Sequence, residues 1–259
     1  VERIWETGKR KLALDVTIKC EGVCRFRVVA SDKDNRKTNY ADRTIEVNGF
    51  RTIYISFPVS PEQTRITITE LDSPSDFLVD IKEKNLKTYQ IYLDAEAKKF
   101  VKFAQEFTKV SGYSQPSPQG RFFRTPDGYF NIRYYPVIMD KGRPSTTPAR
   151  IGHRTGVIDV SKLHFDRYTI PMRMCILLHE FSHKYRNPKI DLEISNEVGA
   201  DLNALYIYLG LGYSKVDAIF VFANVFLKAQ SEGNMVRMRK IMDYIKRFED
   251  QEFAKILTE

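Results

Sequence analysis

The sequence predicts an α+β protein: an antiparallel β-sandwich over residues 1–85, then a mixed domain over residues 86–259 that is mostly helical in its C-terminal half. Two observations carry this prediction. Apolar residues alternate at period two as far as Glu83 and follow a helical period beyond Asn85, and 259 residues with 42% hydrophobic content can supply a core for each part.

The alternating set begins with Leu12, Leu14, Val16 and Ile18 and continues through Phe26 and Val28, Ile45 and Val47, Ile53, Ile55 and Phe57, Ile66 and Ile68, then Val79 and Ile81. Polar turns at 31–39, at Asn48 and Gly49, and at 72–75 divide it into six or seven short strands. Beyond Asn85, Tyr89, Leu93, Ala97, Phe100, Phe103, Ala104 and Phe107 mark an amphipathic helix ending near Ser111 and Gly112. A Pro, Ser and Gly loop follows from Ser114 to Gly120, and Phe122 to Ile138 reads as a hairpin turning at Pro126, Asp127 and Gly128. Ile151 to Val160 reads as a further strand. Helices begin near Pro171, Ser195, Ser214 and Asn234, the first with proline where a helix start tolerates it.

Composition narrows the function classes. Charged residues interrupt every apolar stretch well short of the roughly 20 residues a membrane helix needs, so no span is expected. The chain opens Val1, Glu2, Arg3 without an apolar signal-type block. Three cysteines, Cys20, Cys24 and Cys175, cannot all pair within one chain. They read as reduced thiols, as in a cytoplasmic protein or one held within an assembly, and Cys20 with Cys24 lacks the further ligands of a structural zinc site. Lys plus Arg outnumber Asp plus Glu by 41 to 33, a net charge of +8 that keeps nucleic acid in view as a partner. The charge is diffuse, and its densest stretch, Arg237, Arg239, Lys240, Lys246 and Arg247, reads as the solvated face of an amphipathic helix.

The chemistry is concentrated in His179, Glu180, Phe181, Ser182, His183, an H-E-x-x-H pattern on a helix. Four residues at roughly 100° each bring the second imidazole one turn along and nearly over the first, so that both can ligate one zinc ion. Glu180 stands beside them, in reach of water at the metal. Hydrolysis needs such a base and a purely structural site does not.

A catalytic zinc takes a third protein ligand, and Asn196, Glu197, Val198, Gly199, Ala200, Asp201 supply N-E-x-x-A-D on the next helix. With both motifs the sequence resembles the thermolysin-like zinc metallopeptidases called gluzincins. The resemblance implies a zincin-like peptidase domain over 86–259 acting on protein or peptide substrates, with one zinc per chain held by His179, His183 and Glu197. It further implies that Asp201 orients His179 through the other ring nitrogen, with Asn196 as a supporting group, and that an edge strand before the active helix pairs with extended substrate. Gly156 to Val160 is the candidate for that strand. His183 and Glu197 are 14 positions apart, shorter than in thermolysin, so Lys184 to Ile194 must turn tightly. Glu193 is a competing carboxylate, but only Glu197 has an aspartate at the required offset.

The family also uses a His or Tyr donor toward the oxyanion. His153, on or near the expected edge strand, is the candidate, with Tyr185 and Tyr213 as alternatives. Tyr208 shares the face of Glu197 but lies about 16 Å along the helix, too far for contact with the zinc. His164 reads as structural. Two other classes stay open from sequence: a catalytically silent zincin-fold protein with a structural or assembly role, for instance in a virus particle, and a nucleic-acid-associated protease. The N-terminal β domain is expected to dock a partner or position substrate.

Overall fold

The structure, a computed structural model, describes residues 1–72, 76–185, 187, 196–229 and 231–256. Two compact units divide the chain: Val1–Thr88 with Thr169–Pro171 and Gly212–Ser214, and Tyr89–Tyr168 with Met172–Leu211 and Lys215–Glu259.

The first unit is one antiparallel sheet of β1 (Glu2–Glu6), β2 (Leu12–Asp32), β3 (Asn39–Phe57), β4 (Gln63–Glu70) and β5 (Phe77–Lys84), in the order β1-β4-β2-β3 with β5 also on β2. Two strands run longer than the sequence suggested, so among the described residues five form where six or seven were expected, in a single sheet rather than two. The reason lies at Gly22 and Gly49. Both adopt φ of +74°, and they fall where the β2–β3 pairing shifts register, between Lys19↔Phe50 and Val23↔Asn48. Asn48 and Gly49 therefore form part of an irregularity inside a long ribbon, not a turn that ends a strand. β5 pairs with the first half of β2 and β4 with the second.

This bulge also corrects the reading of the cysteines as reduced thiols. Four residues of straight strand would hold Cys20 and Cys24 about 13 Å apart. Here their Cα atoms are 6.7 Å apart and the two are joined as a disulfide, while Cys175 is free and buried.

Even-numbered residues of β2 face inward from Leu12 to Cys20 and again from Cys24 to Ala30, and Leu14, Val16, Ile18, Phe26 and Val28 are wholly buried with Val47, Ile55 and Phe57 of β3. Phe26 meets Phe77 edge-to-face at 4.9 Å. Phe26→Ala should destabilise this unit by about 3–5 kcal/mol, since it deletes a buried ring and leaves a cavity. Urea unfolding followed through the fluorescence of Trp5, the single tryptophan, checks this; an unchanged midpoint would contradict it.

The second unit begins with α1 (Ala95–Ser111), whose first turn is capped by Asp94 accepting from the Ala97 N–H at 2.8 Å. Next come β6 (Arg121–Arg124), β7 (Asn131–Tyr135), β8 (Met139–Asp140), β9 (Arg143–Pro144), β10 (Ala149–Ile151) and β11 (Ile158–Ser161). The chain finishes with α2 (Lys162–Phe165), α3 (Ile170–Ser182), α4 (Asn196–Gly210), α5 (Lys215–Val221), a π-helical turn at Phe222–Phe226, and α6 (Glu232–Ile256). The main sheet has the order β10-β11-β7-β6, with β11 parallel to β7 and the other pairs antiparallel.

The sheet order corrects the choice of edge strand. Gly156 to Val160 contains most of β11, which lies inside the sheet between β10 and β7; the edges are β6 and β10, and β10 (Ala149–Ile151) is the one that contacts Glu180. Period-two alternation identifies a strand but not its neighbours, and a three-residue strand is too short to announce itself.

From Met172 to Ser182 α3 is buried on every side. The wholly buried Arg173 guanidinium anchors it, donating to Ser111 Oγ at 3.0 Å and to the Tyr168 carbonyl at 2.9 Å. No helix among the described residues is long and apolar enough to cross a membrane.

Candidate metal centre

His179 lies in the last turn of α3, and His183 stands just past its end in a tightened turn where the His183 N–H donates to the Glu180 carbonyl at 3.3 Å. The one-turn spacing brings the two Nε2 atoms 3.2 Å apart. Glu197 sits in the first turn of α4, its carboxylate oxygens 3.9 Å from His179 Nε2 and 3.8 Å from His183 Nε2. One donor atom from each of the three lies within 4.8 Å of the others.

This donor set fits zinc. A tetrahedral ion with bonds of 2.0–2.1 Å holds two imidazole nitrogens about 3.3–3.4 Å apart, close to the observed separation. Both Nε2 atoms face the same point, while the Nδ1 atoms are buried without a hydrogen bond. Burial, and after it the neighbouring His179 ring, hold His183 below the usual imidazole range, which keeps its ligating form neutral. His179 and His183 are largely shielded, whereas Glu197 is about half exposed, so the pocket of donors opens toward solvent on the carboxylate side.

Asp201, one turn beyond Glu197 and 1% exposed, places Oδ1 3.0 Å from His179 Nδ1. The contact is an ion-pair distance out of line for a hydrogen bond. The better-aligned partner of Asp201 is Arg237 of α6, which grips both carboxylate oxygens, Nε to Oδ2 at 2.8 Å and Nη2 to Oδ1 at 2.9 Å, and reaches Glu197 Oε2 at 3.1 Å. This overturns the reading of Arg237 as part of a solvated helix face: its side chain is 14% exposed and belongs to the site.

Glu180 projects toward the sheet. Its Oε2 accepts the Ile151 N–H of β10 at 2.8 Å. Burial pushes its carboxyl up to about 7, against the opposing pull of His179 and of that N–H. A carboxylate so placed is a stronger base than one in water. The β10 edge is partly engaged already, because the Ala149 carbonyl accepts from Thr147 Oγ1 at 2.8 Å.

His153, exposed in the loop after β10, has its ring 6.2 Å from that of His183. The other candidates fall elsewhere: Tyr185 stacks on Phe181 at 4.8 Å, Tyr208 is fully buried within α4, Tyr213 groups with the first unit, and His164 is in α2. Asn196 opens α4, but its side chain, Glu193 and most of the connection from Lys184 to Ile194 lie outside the described residues.

Three participants are absent from the sequence motifs: Arg237, the Ile151 N–H, and Phe226, whose ring stacks on His179 at 3.9 Å from the π-helical turn. Only the last two carried any local signal. Ile151 begins the segment read as a strand, and the paired Phe222 and Phe226 are spaced like one face of a helix. Compared with profiles of protein families, with curated proteins and with solved structures, the chain matches none of them.

Proposed function

We propose that this chain is a zinc metallopeptidase whose zincin-like second domain hydrolyses peptide bonds. The observation that carries the reading is the meeting of His179, His183 and Glu197 within 4.8 Å, with the Glu180 carboxylate on the same helix end. Two imidazoles and one carboxylate would hold the ion and leave one position for water or substrate, the donor pattern of catalytic rather than structural zinc. When bound, zinc polarises a carbonyl and brings the pKa of a coordinated water to about 7.

The protein's own groups do the rest. Glu180 takes a proton from the attacking water and returns it to the leaving amine. His153, its ring 6.2 Å from that of His183, would donate toward the developing oxyanion. Asp201 faces His179, Arg237 pins Asp201 and Glu197 together, and Phe226 shields one face of the His179 ring.

The test is metal analysis together with cleavage of casein and of a mixed peptide library. About one zinc per chain is expected, with cleavage lost on chelation and restored by zinc. Undiminished cleavage by protein stripped of metal would defeat the proposal.

A further inference from the structure

Next to Glu180 the second unit holds a cleft of about 330 Å³. Its floor is aromatic. Phe100 of α1 and Phe181 of α3 stack at 4.0 Å and 7°, and Phe130 stands edge-on to both at 5.2 and 5.8 Å. Ile151 forms part of the wall. The mouth is polar: Glu96 accepts from the Tyr129 hydroxyl at 3.2 Å on one side, and Lys184 lies on the other. Gly156 lies in the lining with φ of +70°, a conformation that favours glycine.

Two residues of the cleft lining adjoin Glu180. Ile151 gives its N–H to Glu180 and lines the cleft, and Phe181, also in the lining, is the residue after Glu180. A substrate bond in reach of Glu180 therefore has a neighbouring side chain in reach of the cleft. The volume is ample for an aromatic side chain, and the rings that line it offer both a face and an edge. A charged side chain would lose its hydration against that floor.

We propose that this cleft selects the substrate residue flanking the scissile bond and takes an aromatic side chain, phenylalanine or tyrosine. The assignment of the occupant as a substrate residue rests on the peptidase reading, and the test separates the two. Cleavage of a randomised peptide library should show phenylalanine and tyrosine favoured over alanine and lysine about tenfold or more at one position beside the cut. N-acetyl-tyrosine amide, titrated into the full chain and followed by NMR, should shift aromatic resonances where N-acetyl-alanine amide does not. Tyr129→Ala removes an exposed ring at the mouth and should weaken both preferences at least threefold without loss of fold. Binding of the tyrosine amide with no cleavage of any peptide would sustain the pocket and defeat the peptidase reading. Cleavage with no aromatic preference, and no binding of the amide, would overturn the pocket while leaving the peptidase reading intact.

Discussion

Glu180→Gln should lower turnover by about 10²- to 10⁴-fold while leaving the zinc content at the wild-type level. The amide has nearly the size of the carboxylate, and its oxygen can still accept the Ile151 N–H that the carboxylate now holds at 2.8 Å, so the packing of a residue 7% exposed is preserved. What it cannot do is take up a proton. Glu180 is not one of the three candidate donors, so metal binding and proton transfer should separate cleanly in this variant. The loss should fall on kcat rather than KM, because a base acts in the transition state and contributes little to holding the peptide. Near-wild-type turnover with zinc retained would remove Glu180 from the mechanism.

How much of this was legible beforehand differs from residue to residue. His179 and His183 could be paired from spacing alone, because the helix repeat places residues four apart on one face whatever surrounds them. Glu197 and Asp201 could not. Nothing in their local pattern fixes where α4 lies against α3, and only a resemblance proposed them. Arg237 was less accessible still, 36 residues beyond Asp201 in a helix rich in basic residues, where one cation looks like the next until its partner is seen. The same limit applied to the sheets. Alternation revealed which segments of the first unit are strands, but Gly22 and Gly49 each look like a turn in isolation and become a bulge only because they fall together across the β2–β3 ribbon. The Cys20–Cys24 disulfide follows from that bulge and was hidden with it.

The second large effect is expected at Asp201, which joins metal binding to stability. Its carboxylate is 1% exposed and faces two cationic or proton-bearing groups, the Arg237 fork and His179 Nδ1. Asp201→Ala would leave the Arg237 guanidinium in a largely buried position with only Glu197 as a described partner. Removing one member of a buried ion pair costs about 3–5 kcal/mol, largely because the survivor stays desolvated. The same substitution frees the His179 ring and should weaken zinc binding about 10- to 100-fold, the usual consequence of removing a group that orients a metal ligand. Arg237→Met separates the two effects. It removes the charge that Asp201 balances but fills similar space, leaving Asp201 free to turn toward His179, so zinc affinity should fall less than in Asp201→Ala. In the double variant no buried cation is left unpaired, and its stability loss should be smaller than the sum of the two single losses. Urea unfolding of zinc-free protein and competition titration with a chromogenic chelator measure the two quantities independently. Additive stability losses would show that the Asp201–Arg237 contact is not a coupled pair, and unchanged zinc affinity in Asp201→Ala would show that His179 needs no carboxylate to hold its orientation.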